Sequence, residues 1–178
     1  MESDTFESGA WFHGRIYEEK CDLSPDGNLA VCFCHGGAYR PSYTDSWTAV
    51  SRAPWLHALA LWPWGTTYGG GGRFVENRKL ILHSNMPEET HPSHPAQGLE
   101  IVPGSARKHQ STAEVDMADW SGRDHAGNLV FCRFGKLFRR DERGYDHEIA
   151  DFNGLRPDPH PAPDWAKEPL VANDTSGG

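Results

Sequence analysis

Cysteine and histidine make the densest cluster of side chains that could do chemistry. Cys32-Phe33-Cys34-His35 closes an apolar run that begins at Leu29. On a strand, residues i and i+2 project to the same side. Cys32 and Cys34 would therefore present two thiols together, with His35 on the opposite face. Cys132 is a third thiol, and His91 and His94 stand at H-x2-H spacing. Thiolates and imidazoles are zinc ligands, and zinc-bound water is a nucleophile at neutral pH. Cys32, Cys34, Cys132 and His35 are thus the candidate ligands of a metal-dependent enzyme, a zinc hydrolase first of all. A C-x-C pair on one strand is a weaker signal than paired C-x2–4-C knuckles. The competing reading makes the three cysteines small buried hydrophobes between sheets.

Other catalytic patterns are thinner. His35-Gly-Gly-Ala-Tyr39 after a strand has the form of an oxyanion loop, but the chain has no G-x-S-x-G nucleophile elbow. Gly69 to Gly72, followed by Arg73, offers backbone N–H groups to a phosphate. A P-loop would continue with Lys-Ser/Thr and a helix, and neither follows. Asp124-His125 is an acid–base pair in sequence, yet Asp124 is better suited to capping a turn. Contact is the remaining chemistry. Trp and Arg concentrate binding energy at interfaces, and Pro-flanked segments tend to run over the surface. Trp55, Trp62, Trp64 and Arg73 form the candidate binding set.

These residues must be held by β-structure. At about 150 residues per domain, 178 residues make one domain, and 19 Gly, 13 Pro and seven Trp point to short strands joined by turns. Strands are expected at Trp11 to Tyr17, Leu29 to His35, Ser46 to Arg52, Leu99 to Val102, Val115 to Trp120, Asn128 to Phe134, Lys136 to Arg140 and His147 to Phe152. A hairpin is expected around Glu76-Asn77-Arg78. Pro54 to Trp64 is ambiguous between a strand and one helical turn. The expected organisation is a single β-rich domain over residues 1–165, with an irregular loop at 84–113 and a flexible tail at 166–178. The net charge of −8 leaves no basic footprint for nucleic acid and no polybasic membrane patch. The N-terminus lacks the positive start and apolar run of a secretory signal. A cytoplasmic setting with reduced cysteines is the expectation.

Two segments echo each other at an offset of 100 residues. Ser24-Pro-Asp-Gly-Asn-Leu-Ala-Val-Cys32 lies over Asp124-His-Ala-Gly-Asn-Leu-Val-Phe-Cys132, and four of the nine positions coincide. In each, a capping residue opens a turn that launches an apolar strand, which suits a repeat architecture. The "SPDGNLAV" segment resembles the turn-plus-strand signature of TolB-like and WD40-like β-propeller blades. "WSGRDHAGNLVFCRFGKLFRR" followed by "HEIADF" resembles a complete four-strand blade. Residues 11–83 and 114–165 are also similar to an uncharacterised bacterial family, through "RIYE..CDLSPDG", "W.AVSR.P...ALALWP" and "GGGG.F..NR.L.L". Relatives carry additional strands where this chain has residues 84–113, so the resemblance implies an internally shortened form.

Blades take about 40–45 residues, so the length allows four at most. The expected fold is mainly β: antiparallel meanders, propeller-like in local pattern, and not a closed ring. Open edges invite pairing with a second copy, so a homodimer is one expectation. The functional expectation is a non-enzymatic binding or scaffolding module, with no cofactor, that takes a protein or a small ligand.

Overall fold

A computed structural model describes residues 5–37, 43–83, 89–102, 115–124 and 126–171. The described chain is mainly β, its sheets are largely antiparallel, and they close into no ring or barrel. It divides into two compact units. One unit comprises Met1–Glu7 and Gln110–Asp158; the other comprises Ser8–His109 and Pro159–Gly178. The division has a simple cause: each unit holds a sheet with buried apolar residues of its own.

In the larger unit, β1 (Arg15–Ile16) and β2 (Asp22–Leu23) both pair with β3 (Leu29–His35). Next come β4 (Ser46–Arg52) and β5 (Ala58–Pro63), each antiparallel to the strand before it. The strand expected over Trp11 to Tyr17 is reduced to β1, and a 3-10 turn at Glu18–Lys20 separates it from β2. A second sheet holds β6 (Gly72–Glu76), β7 (Lys79–Leu82) and β8 (Glu100–Val102), with β7 and β8 parallel.

Alternation along β3 decides what is buried. Leu29, Val31 and Phe33 are buried, and Val31 pairs with Val50 while Phe33 pairs with Thr48. Val50 and Thr48 in turn pair with Ala60 and Trp62. Leu29, Val31, Val50, Ala60 and Trp62 therefore share one face, and Phe74, Leu80 and Leu170 complete the core. This settles the ambiguous Pro54 to Trp64 segment as a strand over Ala58–Pro63, with no helical turn before it. It also explains the glycine run: a Cβ on Gly70 would enter the Phe33 ring, and one on Gly71 would meet the Lys20 carbonyl. Gly70 and Gly71 have φ of +72° and +88°, which glycine alone adopts without strain.

The C-terminal stretch is not a loose tail from residue 166 on. A helical turn, α1 (Asp164–Lys167), buries Ala166, and Leu170 joins the core. Residues 172–178 of the expected tail lie outside the described residues. So do 84–88 and 103–113 of the expected irregular loop. Between these gaps, His91 and His94 exchange backbone hydrogen bonds with Leu61 on β5.

The smaller unit is a four-stranded antiparallel meander: β9 (Trp120–Arg123), β10 (Leu129–Arg133), β11 (Lys136–Arg140) and β12 (Asp146–Asp151). The expected strand at Val115 to Trp120 is displaced to β9, because the chain turns at Met117, whose φ is +62°. Phe131 is fully buried and stacks on Phe138. The two echoing segments occupy like places in their own sheets. One forms the β2–β3 turn, the other the β9–β10 turn, with Gly27 and Gly127 both at positive φ.

Candidate functional site

Four stretches of the larger unit meet around a cleft of about 430 Å³. They are the β2–β3 turn, the end of β4, the β6–β7 turn and the C-terminal segment. Asp26, Asn28, Arg52, Asn77, Arg78 and Glu168 supply its polar wall; Leu29, Trp165 and Leu170 supply apolar surface.

The turn residues are fixed by local hydrogen bonds. Ser24 Oγ accepts the Leu29 N–H (2.9 Å) and donates to Asp26 Oδ1 (2.5 Å). Asp26 also accepts the Asn28 N–H (3.1 Å) and side-chain amide (2.9 Å). These donors, the Ser24 hydroxyl foremost, hold the Asp26 carboxyl below its usual value. The Asp26 N–H donates to Asn77 Oδ1 (3.1 Å), tying the β2–β3 turn to the β6–β7 turn.

The two arginines bind the C-terminal segment through its backbone. Arg52 Nη2 donates to the Glu168 carbonyl (3.1 Å), and Arg78 Nη1 donates to the Val171 carbonyl (2.7 Å). Neither guanidinium forms an ion pair with a carboxylate among the described residues. Arg52 Nε is buried and has no acceptor. A buried donor left unmade costs about 1–3 kcal/mol, and Nε itself is closed to solvent; the Arg52 and Arg78 side chains line the cleft. The planar guanidinium fork matches a carboxylate or phosphate. Trp165 is half exposed beside it. The arrangement suits an oxyanion carried on a flat apolar body.

The expected contact residues do not gather here. Trp62 is only 1% exposed and belongs to the core. Its expected place on a contact surface is corrected, because the strand alternation turns it inward. Trp55 precedes β5 and Trp64 follows it, so a six-residue strand, about 20 Å long, lies between them. Trp64 Nε1 donates to the Tyr68 carbonyl. Arg73 is exposed on β6 of the other sheet. Arg52, Arg78 and Trp165 were not singled out as a set by their sequence. Arg52 ends an apolar strand and Arg78 sits in a hairpin turn, and only the fold brings them together.

The thiols divide between the units: Cys32 and Cys34 stand on β3, Cys132 on β10. Burial, then Cys21, pushes the Cys34 thiol up to about 12. Burial, then Asp119, raises Cys132. His35 Nε2 lies 3.9 Å from Asp45 Oδ2. Among the described residues, no group of three or more His, Cys, Asp or Glu side chains is arranged to hold a metal. The other backbone cradles are partly spent. Gly71 N–H donates to the buried Thr48 Oγ1 (2.7 Å), and Gly36 N–H to the Asp45 carbonyl (2.8 Å). His125, of the Asp124-His125 pair, lies outside the described residues. No described helix is long and apolar enough to cross a membrane. Comparison with family models, curated proteins and solved structures finds no match for the chain.

Proposed function

We propose that the chain is a non-enzymatic binding module, and that the cleft at Arg52, Arg78 and Trp165 takes a small oxyanion, a carboxylate or phosphate on a flat apolar group. The observation that carries this reading is the pair of guanidinium side chains, Arg52 and Arg78, that line one cleft and form no ion pair with a carboxylate among the described residues. Two carboxylates, Asp26 and Glu168, line the same cleft as the two arginines; the Asp26 oxygens are engaged by Ser24 and Asn28, and Glu168 is exposed to solvent. The module works in the cytoplasm, as the acidic chain and its unbridged cysteines suit. The resemblance to propeller-type repeats agrees with this role, because repeat-built β surfaces commonly present turns to ligands. The zinc-hydrolase alternative has less support: among the described residues no group of three or more His, Cys, Asp or Glu side chains is arranged to hold a metal.

The test is a fluorescence titration of the full chain with phenyl phosphate and with benzoate. Trp165→Phe identifies the reporting indole. Saturable binding is expected, weakened at least tenfold by Arg52→Met or Arg78→Met, since a charge-assisted hydrogen bond is worth about 1.5–3 kcal/mol. Equal affinity in the wild type and both arginine variants would contradict the assignment.

A further inference from the structure

We infer that Cys21 and Cys32 form a redox-active dithiol that closes to a disulfide across the β2–β3 ladder. The register sets Asp22 opposite Val31 and Leu23 opposite Ala30. Continued by one residue, it sets Cys21 opposite Cys32. Cys21 has extended dihedrals, φ −100° and ψ 157°, so the strand geometry reaches it.

The type of pair follows from the turn. Ser24 N–H donates to the Leu29 carbonyl (2.8 Å), which marks that pair as hydrogen-bonded. Hydrogen-bonded and non-hydrogen-bonded pairs alternate along an antiparallel ladder. Cys21 and Cys32 therefore form a non-hydrogen-bonded pair, whose Cα atoms are about 4.5 Å apart. That separation lies inside the roughly 4.4–6.8 Å window of disulfides. The Cys32 side chain is near enough to be the main cause that holds the Cys21 thiol far above its ordinary value, burial coming second. The Cys21 thiol itself donates to the Tyr17 carbonyl (3.1 Å).

Cys34 is the competitor within the same unit, and the fold directs it elsewhere. Its partner across the ladder is Ile16 of β1. Both paired cysteines are half-buried rather than sealed, whereas Cys34 is buried, so a small oxidant can reach the pair.

The chemistry balances with a hydroperoxide as the oxidant. One sulfur is oxidised to a sulfenic acid as the O–O bond breaks and water leaves. The second sulfur then attacks it, the S–S bond forms, and a second water leaves. Two thiols and one hydrogen peroxide thus give one disulfide and two waters. The bridge closes a loop around the Ser24 to Leu29 turn, which carries Asp26 and Asn28. The inference stands on the ladder alone and does not depend on the ligand cleft.

The experiment treats the reduced full chain with hydrogen peroxide, alkylates the remaining thiols and digests without reductant. A protease that cuts before aspartate separates Cys21 from the peptide carrying Cys32 and Cys34. Mass spectrometry should find these two peptides joined, with Cys34 and Cys132 alkylated. The link should persist in Cys34→Ser and disappear in Cys32→Ser. Fragmentation of the wild-type peptide assigns the bridge even if a variant folds poorly. A link to Cys34, or four alkylated or over-oxidised cysteines with no joined peptide, would overturn the inference.

Discussion

Trp62 and Trp55 are the same residue type, seven positions apart, and the fold gives them opposite roles. Trp62 is sealed against the core, whereas Trp55 sits half-buried ahead of β5. Trp62→Ala should cost about 3–5 kcal/mol, the usual loss for a buried aromatic; Trp55→Ala should cost far less. Urea unfolding of both variants checks this, and equal losses would contradict the strand register. His57 offers a test by pH. Burial first, then the nearby His94 and Lys167, lowers its imidazole below the ordinary 6.5. A lowered histidine is held neutral in the folded state, and the unfolded chain takes up the proton more readily. Its contribution to stability is therefore present above pH 6.5 and is lost as the pH falls through the lowered value. The His57 ring resonances should titrate below 6.5 by NMR, and a midpoint above 6.5 would contradict the burial.

The strands with clear β-formers were legible in the sequence: β3, β4, β6, β7, β10, β11 and β12 fall close to their expected places. In all of these but β12, Val, Phe, Thr or Leu residues alternate or run together; β12 has Ile149 as its one strong β-former. The misses also have physical causes. β9 is displaced because Met117 turns at positive φ, which no side-chain pattern announces. The Pro-rich C-terminus hides α1, whose stability comes from Ala166 and Leu170 packing on a distant sheet. The Ser24 cap of the β2–β3 turn and the positive φ of Gly27 were legible, though the short strand β2 before the turn was not, and the cap carries a prediction. Ser24→Ala removes the acceptor of the buried Leu29 N–H and the donor to Asp26. A loss of about 1–3 kcal/mol is expected, read by chemical denaturation. A change within about 0.5 kcal/mol, the range of ordinary surface positions, would show that the hydroxyl does not hold the turn.

At the scale of the whole molecule, the cleft depends on chain segments far apart in sequence. Arg52, Arg78 and Trp165 come from β4, the β6–β7 turn and the C-terminal segment, so no local motif could have named them. The thiol pair shows the same limit at shorter range: Cys21 and Cys32 face each other only because β2 folds back on β3. The central claim is that the Arg52 and Arg78 guanidinium groups of the cleft take an oxyanion, and the most direct measurement watches those groups. The Nε–Hε resonances of the arginines are assigned by ¹⁵N NMR in the full chain, and phenyl phosphate is added to millimolar concentration. The account predicts that the Arg52 Hε signal moves downfield saturably, followed by Arg78, while Arg73 stays in place. An Arg52 signal unmoved by the probe, or arginine signals that all drift together without saturation, would contradict it.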